Sequence, residues 1–268
     1  MRSLALKGRP RRLHPLRFGW EPITESVSLR GGSPDQYLLE PVTGAAVVFD
    51  QGWVLVDTGF NIDTIRDDAK RLSHYVIPCY TALVPQGDPL VDQITGLGLT
   101  WQGLAACVVS HLHCDHSGGL RHLVDGPPIV IQRAELEFGM SESTLHDAYF
   151  RSDFDMPGLN WELAEGDEEL ADGLRLLPTP GHTPGHTSVV VELENSGSVV
   201  LACDAADLRA NVEQRIAPGT TTSPDLEEAA QSSIDRLHDL DAQEGTEVWP
   251  GHDLAFWNTR VAFPGAYT

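Results

Sequence analysis

The chain has 268 residues, with 18 Lys and Arg against 39 Asp and Glu, a formal charge of −21. So negative a surface repels phosphate backbones and anionic headgroups, which argues against a nucleic-acid or membrane-surface binder. At 41% hydrophobic and 21% charged the composition is that of a globular protein, far from disordered, collagenous or coiled-coil chains. Six basic residues, Arg2, Lys7, Arg9, Arg11, Arg12 and Arg17, precede the first acidic one, Glu21. We read residues 1–40 as an N-terminal arm with the first strands, its basic end a solvated tail, and 41–268 as the main body of one domain. The basic start is followed by no apolar signal core and no run long enough to span a bilayer, so the expected location is cytoplasmic. Cys79, Cys107, Cys114 and Cys203 show no CxxC spacing and read as reduced thiols.

Ala46–Phe49 and Trp53–Val56, joined by Asp50-Gln51-Gly52, read as a hairpin that starts the ordered core. Asn61 to Ser73 has the polarity and caps of an exposed helix, and 74–90, with Pro78, Pro85 and Pro89, reads as a long loop. Leu90–Leu97 reads as a helix, and Leu104–Ser110 as a buried strand running into His111. Ser117–Val124 looks like a helix opening and Pro128–Gln132 like the next strand, a β-loop-α-β pattern that implies a layered α/β fold. The stretch 138–159 carries Phe138, Tyr149, Phe150 and Phe154 with little periodicity and reads as a mobile substrate-side segment. Strands follow at 173–178, 188–193 and 198–203. Ser223 and Pro224 then open a helix to about Leu240, and Glu247–Trp249 is a last strand.

Ser110-His111-Leu112-His113-Cys114-Asp115-His116-Ser117-Gly118-Gly119 is the strongest chemical signal. His111 and His113, two apart at a strand end, project to one side, and the following turn brings Asp115 and His116 round to an adjacent position. Glycines 118 and 119 are expected to let the backbone turn sharply there. Three later residues each follow an apolar strand: His182 in Thr-Pro-Gly-His-Thr-Pro-Gly-His186, Asp204, and His252 in Trp-Pro-Gly-His-Asp. Neutral imidazole and carboxylate suit Zn²⁺, and five His with two Asp are enough for two ions.

The HxHxDH motif, the Pro-Gly-His repeat, the strand-terminal Asp and the late Gly-His resemble the metallo-β-lactamase fold superfamily, and within it the N-acyl-homoserine lactonases. The likeness runs from about Val42 to the C-terminus. It implies an αββα sandwich, two mixed sheets between layers of helices, with metals at one edge. By that resemblance His111, His113 and His182 hold one zinc, Asp115, His116 and His252 hold a second, and Asp204 bridges both. Other divalent transition metals remain open for such a set. His186 lies outside the family's ligand set, and Asp57 of Asp-Thr-Gly either orients a ligand histidine or caps its turn.

The activity so implied is quorum-quenching hydrolysis of the lactone ring of N-acyl-homoserine lactones by a hydroxide shared between the metals, with Asp115 carrying the proton to the leaving oxygen. The partner is then a small lactone or ester. Oligomeric state stays open, a homodimer included. An apolar groove around Phe18, Trp20 and 138–156 is expected to take the acyl tail. The sequence departs from the family at Asp207, where these lactonases carry a substrate-facing tyrosine. Arg209 pairing with Asp207, and Tyr80 or Tyr149 acting in the tyrosine's place, would compensate. The alternatives are a lactonase for another ring, such as a pyridoxine-derived lactone, and a glyoxalase II-like thioesterase, which would need more basic residues near the C-terminus than Arg236 and Arg260. A metal-stabilised binding or sensor protein is the non-enzymatic alternative.

Overall fold

A computed structural model describes residues 4, 6–74, 82–141 and 148–268. Its six-stranded sheet runs in chain order through β1 (Arg12–Thr24), β2 (Tyr37–Val48), β3 (Trp53–Val56), β4 (Leu104–Val108), β5 (Ile129–Gln132) and β6 (Trp161–Ala164). The first three strands are antiparallel and the rest pair in parallel. A five-stranded sheet follows, built from β7 (Glu168–Ala171), β8 (Leu174–Pro178), β9 (Thr187–Leu193), β10 (Gly197–Cys203) and β11 (Thr246–Pro250), in the order β11-β10-β9-β8-β7. In it only β10 and β11 pair in parallel.

The strands are apolar on both faces, and their period of two divides the core into layers. Val47, Val54, Val56, Ala106 and Val108 point at the second sheet, where Leu176, Val189, Val191 and Leu201 meet them. Their neighbours Val48, Trp53, Leu55 and Cys107 point outward, against Leu90 and Ile94 of helix Pro89–Gly96. On the far side Leu177, Val190 and Val248 pack on Ala230, Ile234 and Leu237 of helix Glu227–Asp241. Helix, sheet, sheet and helix therefore stack as the expected αββα sandwich.

Several sequence expectations need correction. The Val48↔Trp53 hairpin is present, but the ordered core begins earlier, because β1 and β2 pair from Arg12↔Val48 to Thr24↔Tyr37 and bury Leu13, Leu16 and Phe18. The basic arm is thus no free tail: Arg12 opens β1, and Leu4 donates its N–H to Leu170. The helix expected at 61–73 is two, Ile62–Arg66 and Asp68–His74, broken where Asp67 is extended. The one expected at 117–124 is a turn of helix, Cys114–Ser117, and a 3-10 turn, Leu120–Leu123. Tyr149, Phe150 and Phe154 are buried in the core rather than facing a substrate. Cys107, Cys114 and Cys203 are free, buried thiols, whereas Cys79 and Tyr80 lie outside the described residues, as does part of the long loop at 74–90.

A polar knot ties the helical layer to the loops beside the His-rich segment. Asn61 caps helix Ile62–Arg66, donates from Nδ2 to Asp153 Oδ1 at 2.7 Å and accepts from Arg121. Arg121 and His122 both reach Asp88, the N-cap of helix Pro89–Gly96. Burial pushes the Asp153 carboxyl from 3.8 up to about 6, despite the Asn61 bond and nearby Arg121. A folded pKa above the unfolded one means that ionisation opposes folding, by about 3 kcal/mol for such a shift, and that this cost sets in between pH 4 and pH 6. Asn keeps the acceptor for Asn61 and cannot ionise. Asp153→Asn is therefore expected to gain about 3 kcal/mol on the wild type between pH 4 and pH 7 in urea unfolding. A stability difference that is the same at both pH values would show that this carboxyl does not ionise at cost.

Candidate metal centre

The strand ends converge on one edge of the sandwich. β4 runs into Ser110 and His111, β10 into Asp204, β11 into Gly251 and His252, and β8 into the loop that carries His182. The turn after β3 is tied to the His-rich segment by Asp57 N–H to Val108 and Thr58 N–H to His116, and the two sheets are joined by Thr187 N–H to Ser110. Gly118 and Gly119 are needed for close approach rather than for a turn. Both have ordinary negative φ, but a Cβ on Gly118 would lie 2.0 Å from Asn61 N and one on Gly119 2.5 Å from Thr58 O.

Two groups of side chains result, His111, His113, His182 and Asp204, and Asp115, His116, Asp204 and His252, with their donor atoms within 4.8 Å of one another. All seven residues singled out in the sequence are thus brought together. Asp204 faces both groups with different oxygens. Its Oδ2 lies 3.5 Å from His111 Nε2 and 3.4 Å from His182 Nε2. Its Oδ1 lies 3.0 Å from His116 Nε2 and 2.9 Å from His252 Nε2. Asp115 Oδ2 is 3.1 Å from His116 Nε2. His186 belongs to neither group: it is buried and bonded through Nδ1 to Thr179 Oγ1 at 2.9 Å.

The opposite ring nitrogens are tied from behind. His116 Nδ1 donates to Asp57 Oδ2 at 2.8 Å, His252 Nδ1 to the Pro41 carbonyl at 3.0 Å, and His111 Nδ1 to Ser110 Oγ, which itself donates to Asp57. Such bonds fix the tautomer and leave each Nε2 lone pair aimed into the site. Asp57 therefore does both things expected of it, since it also accepts the Ser110 N–H at the turn. His111 Nε2 and His116 Nε2 are buried with no hydrogen-bond partner. Converging imidazole lone pairs and carboxylates, buried and lacking donors, fit divalent transition cations.

The two groups differ electrically. Burial holds His111 and His182 below the usual histidine range and His113 down to about 3, so these rings are neutral ligands in waiting. His116 and His252 are raised instead: burial opposes their charge, but Asp204 and Asp115 outweigh it. A cation entering the second group displaces protons.

Around the site other expectations change. Arg209 does not turn Asp207 away, because its guanidinium is bound to Asp241 and Glu213. Asp207 is buried, its Oδ1 without a partner, and burial together with Asp204 pushes its carboxyl well up. Tyr149 cannot stand in for the missing tyrosine, since its hydroxyl donates to Glu135 and its ring packs edge-on against His113. The sequence reading missed Glu135 altogether. A Glu in Arg133–Gly139 looks solvent-facing, and nothing in its spacing marks it as buried.

Residues 39–252 match the metallo-beta-lactamase superfamily model. The chain is 32% identical over 232 residues to the N-acyl homoserine lactonase AiiA of Bacillus thuringiensis subsp. kurstaki, covering 87% of this chain and 89% of that one. It is 29% identical over 250 residues to the N-acyl homoserine lactonase AttM of Rhizobium johnstonii, covering 91% and 93%. A crystal structure of a B. thuringiensis AiiA variant with N-decanoyl-L-homoserine at its active site superposes with a TM-score of 0.86 at 29% identity, over 97% of this chain and 100% of that one. An N-acyl homoserine lactone hydrolase with N-hexanoyl-L-homoserine at its catalytic metal center gives 0.85, at the same identity and coverage.

Because Asp57 braces histidines of both groups, Asp57→Asn is expected to weaken metal retention by 10- to 100-fold at both positions. Competition with a graded chelator, followed by elemental analysis, reads this directly. Unchanged retention would leave Asp57 with the turn alone.

Proposed function

The chain belongs to the metallo-beta-lactamase superfamily, and on that premise we propose that this metal-dependent hydrolase opens the lactone ring of N-acyl homoserine lactones at a dinuclear, zinc-type centre. The observation that carries the reading is the double-faced Asp204, each oxygen turned to its own set of histidines. The related AiiA structures with acyl-homoserine products bound support the substrate class. His111, His113 and His182 would hold one ion, Asp115, His116 and His252 the other, and Asp204 both. Such a pair of ions supplies an acidified water as nucleophile and polarises the ring carbonyl.

The chain's own groups then manage orientation and protons. Hydrolysis adds a hydroxyl to the carbonyl carbon and breaks the acyl C–O bond, so the ring oxygen must gain a proton. Asp115 is the carboxylate placed to deliver it: 6% exposed, within the site and not shared between the two groups. Asp57, Ser110 and the Pro41 carbonyl hold the imidazoles in one tautomer while this happens.

The tail groove proposed from sequence moves. Phe18 is core, and so are the aromatics of 149–154, but Trp20 lines a cavity of about 420 Å³ with Ile65, Ala82, Leu83 and Val84. Trp20 pairs across the sheet with Pro41, whose carbonyl holds His252, which links the strand that carries Trp20 to the centre. We assign it the acyl chain. A lactonase for another ring is the second reading, and Asp207 favours it: a short carboxyl, buried at that position, lacks the reach of the phenol that the resemblance puts there.

Proton release in a pH-stat, with zinc-loaded protein and a medium-chain acyl-homoserine lactone, is the direct test. Turnover is expected to vanish with chelation, return with zinc, and fall by about 100-fold or more in Asp115→Asn. Bound metal without proton release would refute the substrate and turn attention to other lactones and thioesters. For the tail, Trp20→Ala is expected to raise KM for long acyl chains several-fold more than for short ones. A uniform change across chain lengths would place the tail elsewhere.

A further inference from the structure

Glu135 is fully buried, and no Lys or Arg is bonded to it among the described residues. Its charge is met by four donors. Oε1 accepts the Leu112 N–H at 3.0 Å and the Tyr149 hydroxyl at 2.9 Å. Oε2 accepts the Thr183 hydroxyl at 2.6 Å and the Gly185 N–H at 3.1 Å. Leu112 lies between His111 and His113, and Thr183 follows His182, so one carboxylate clasps the two loops that supply all three histidines of one group. Tyr149 adds to this by laying its ring edge-on against His113 at 4.7 Å between centroids. The clasp is close: a Cβ on Gly185 would stand 2.1 Å from Glu135 N. None of these bonds reaches the other group, whose His116 is held by Asp57 and His252 by Pro41.

We propose that Glu135 is a positioning residue that sets the His111–His113–His182 group as a unit, separately from the group built on Asp115, His116 and His252. The inference rests on the reading of these side chains as metal ligands. Glu135→Gln preserves volume but turns an NH₂ toward one pair of donors. A hydroxyl can rotate to accept from that NH₂, whereas the Leu112 or Gly185 backbone N–H cannot. One of the two loops is then released.

The test is zinc retention by the holoprotein under stepwise chelator competition, with zinc counted per chain. Wild type is expected to hold two equivalents. Glu135→Gln is expected to lose one of them at a chelator strength 10- to 100-fold weaker, while the other follows the wild-type curve. Thr183→Val removes a single donor and serves should the Gln variant fail to fold; its loss should fall on the same equivalent and be smaller. Both ions lost together, or both kept as in wild type, would overturn the assignment. A wild type that never holds two ions would overturn it together with the ligand reading, and would show as such before any variant is compared.

Discussion

Everything at this edge of the sandwich answers to one constraint: five imidazoles and two carboxylates, almost wholly out of water, must face one another with their lone pairs inward. Such an arrangement is costly to bury, and isolated strand ends would not hold it. The fold meets it by bringing parallel and antiparallel strands of two sheets to a common edge and fixing their ends by backbone bonds across the sandwich, such as Thr187 N–H to Ser110. Rigid elements then hold these side chains in place, as a metal site needs.

The second tier of that construction is polar and buried. Asp57 and Glu135 play parallel parts, each accepting several donors from neighbouring loops. Each is costly to bury alone, and each has its oxygens satisfied: Glu135 by backbone N–H groups and hydroxyls, Asp57 by the Ser110 N–H and hydroxyl and the His116 imidazole. They divide the labour: Asp57 joins the two groups through Ser110 and His116, whereas Glu135 locks the two loops that carry His111, His113 and His182.

The clustering of the seven His and Asp side chains was legible in the sequence because each is a His or Asp near the end of an apolar run, a pattern with a chemical meaning. The αββα layering was legible through runs apolar on both faces, such as Ala45–Phe49. What stayed hidden was whatever depended on distant packing. First strands are expected within residues 1–40, but Pro15 and Pro22 hide the length and register of β1 until its pairing with β2 is known. Glu135, Asp153 and Glu40 look like surface residues by type and are buried only because loops far away in sequence fold over them. The aromatics at 149–154 erred the other way, irregular spacing concealing core positions.

Glu40 and its cross-strand partner Glu21 carry the asymmetry of the site beyond its ligands. Like carboxylates placed opposite each other in a sheet repel, yet both are buried here, with Asp207 near them. Burial pushes the Glu40 carboxyl up to about 7, even with His252 and the Ser28 hydroxyl favouring its charge. The negative groups thus gather behind His252, on the side that also holds Asp115, while the opposite side is lined by neutral histidines. A cation in the first group would meet mainly imidazoles, and one in the second would meet more carboxylate. Asp207, which lies near Glu40 and Glu21, belongs to the carboxylate-rich side. On the proposed function, the choice of ring is then set on this side, where Asp207 departs from the lactonases that the chain resembles, and not on the histidine-rich side.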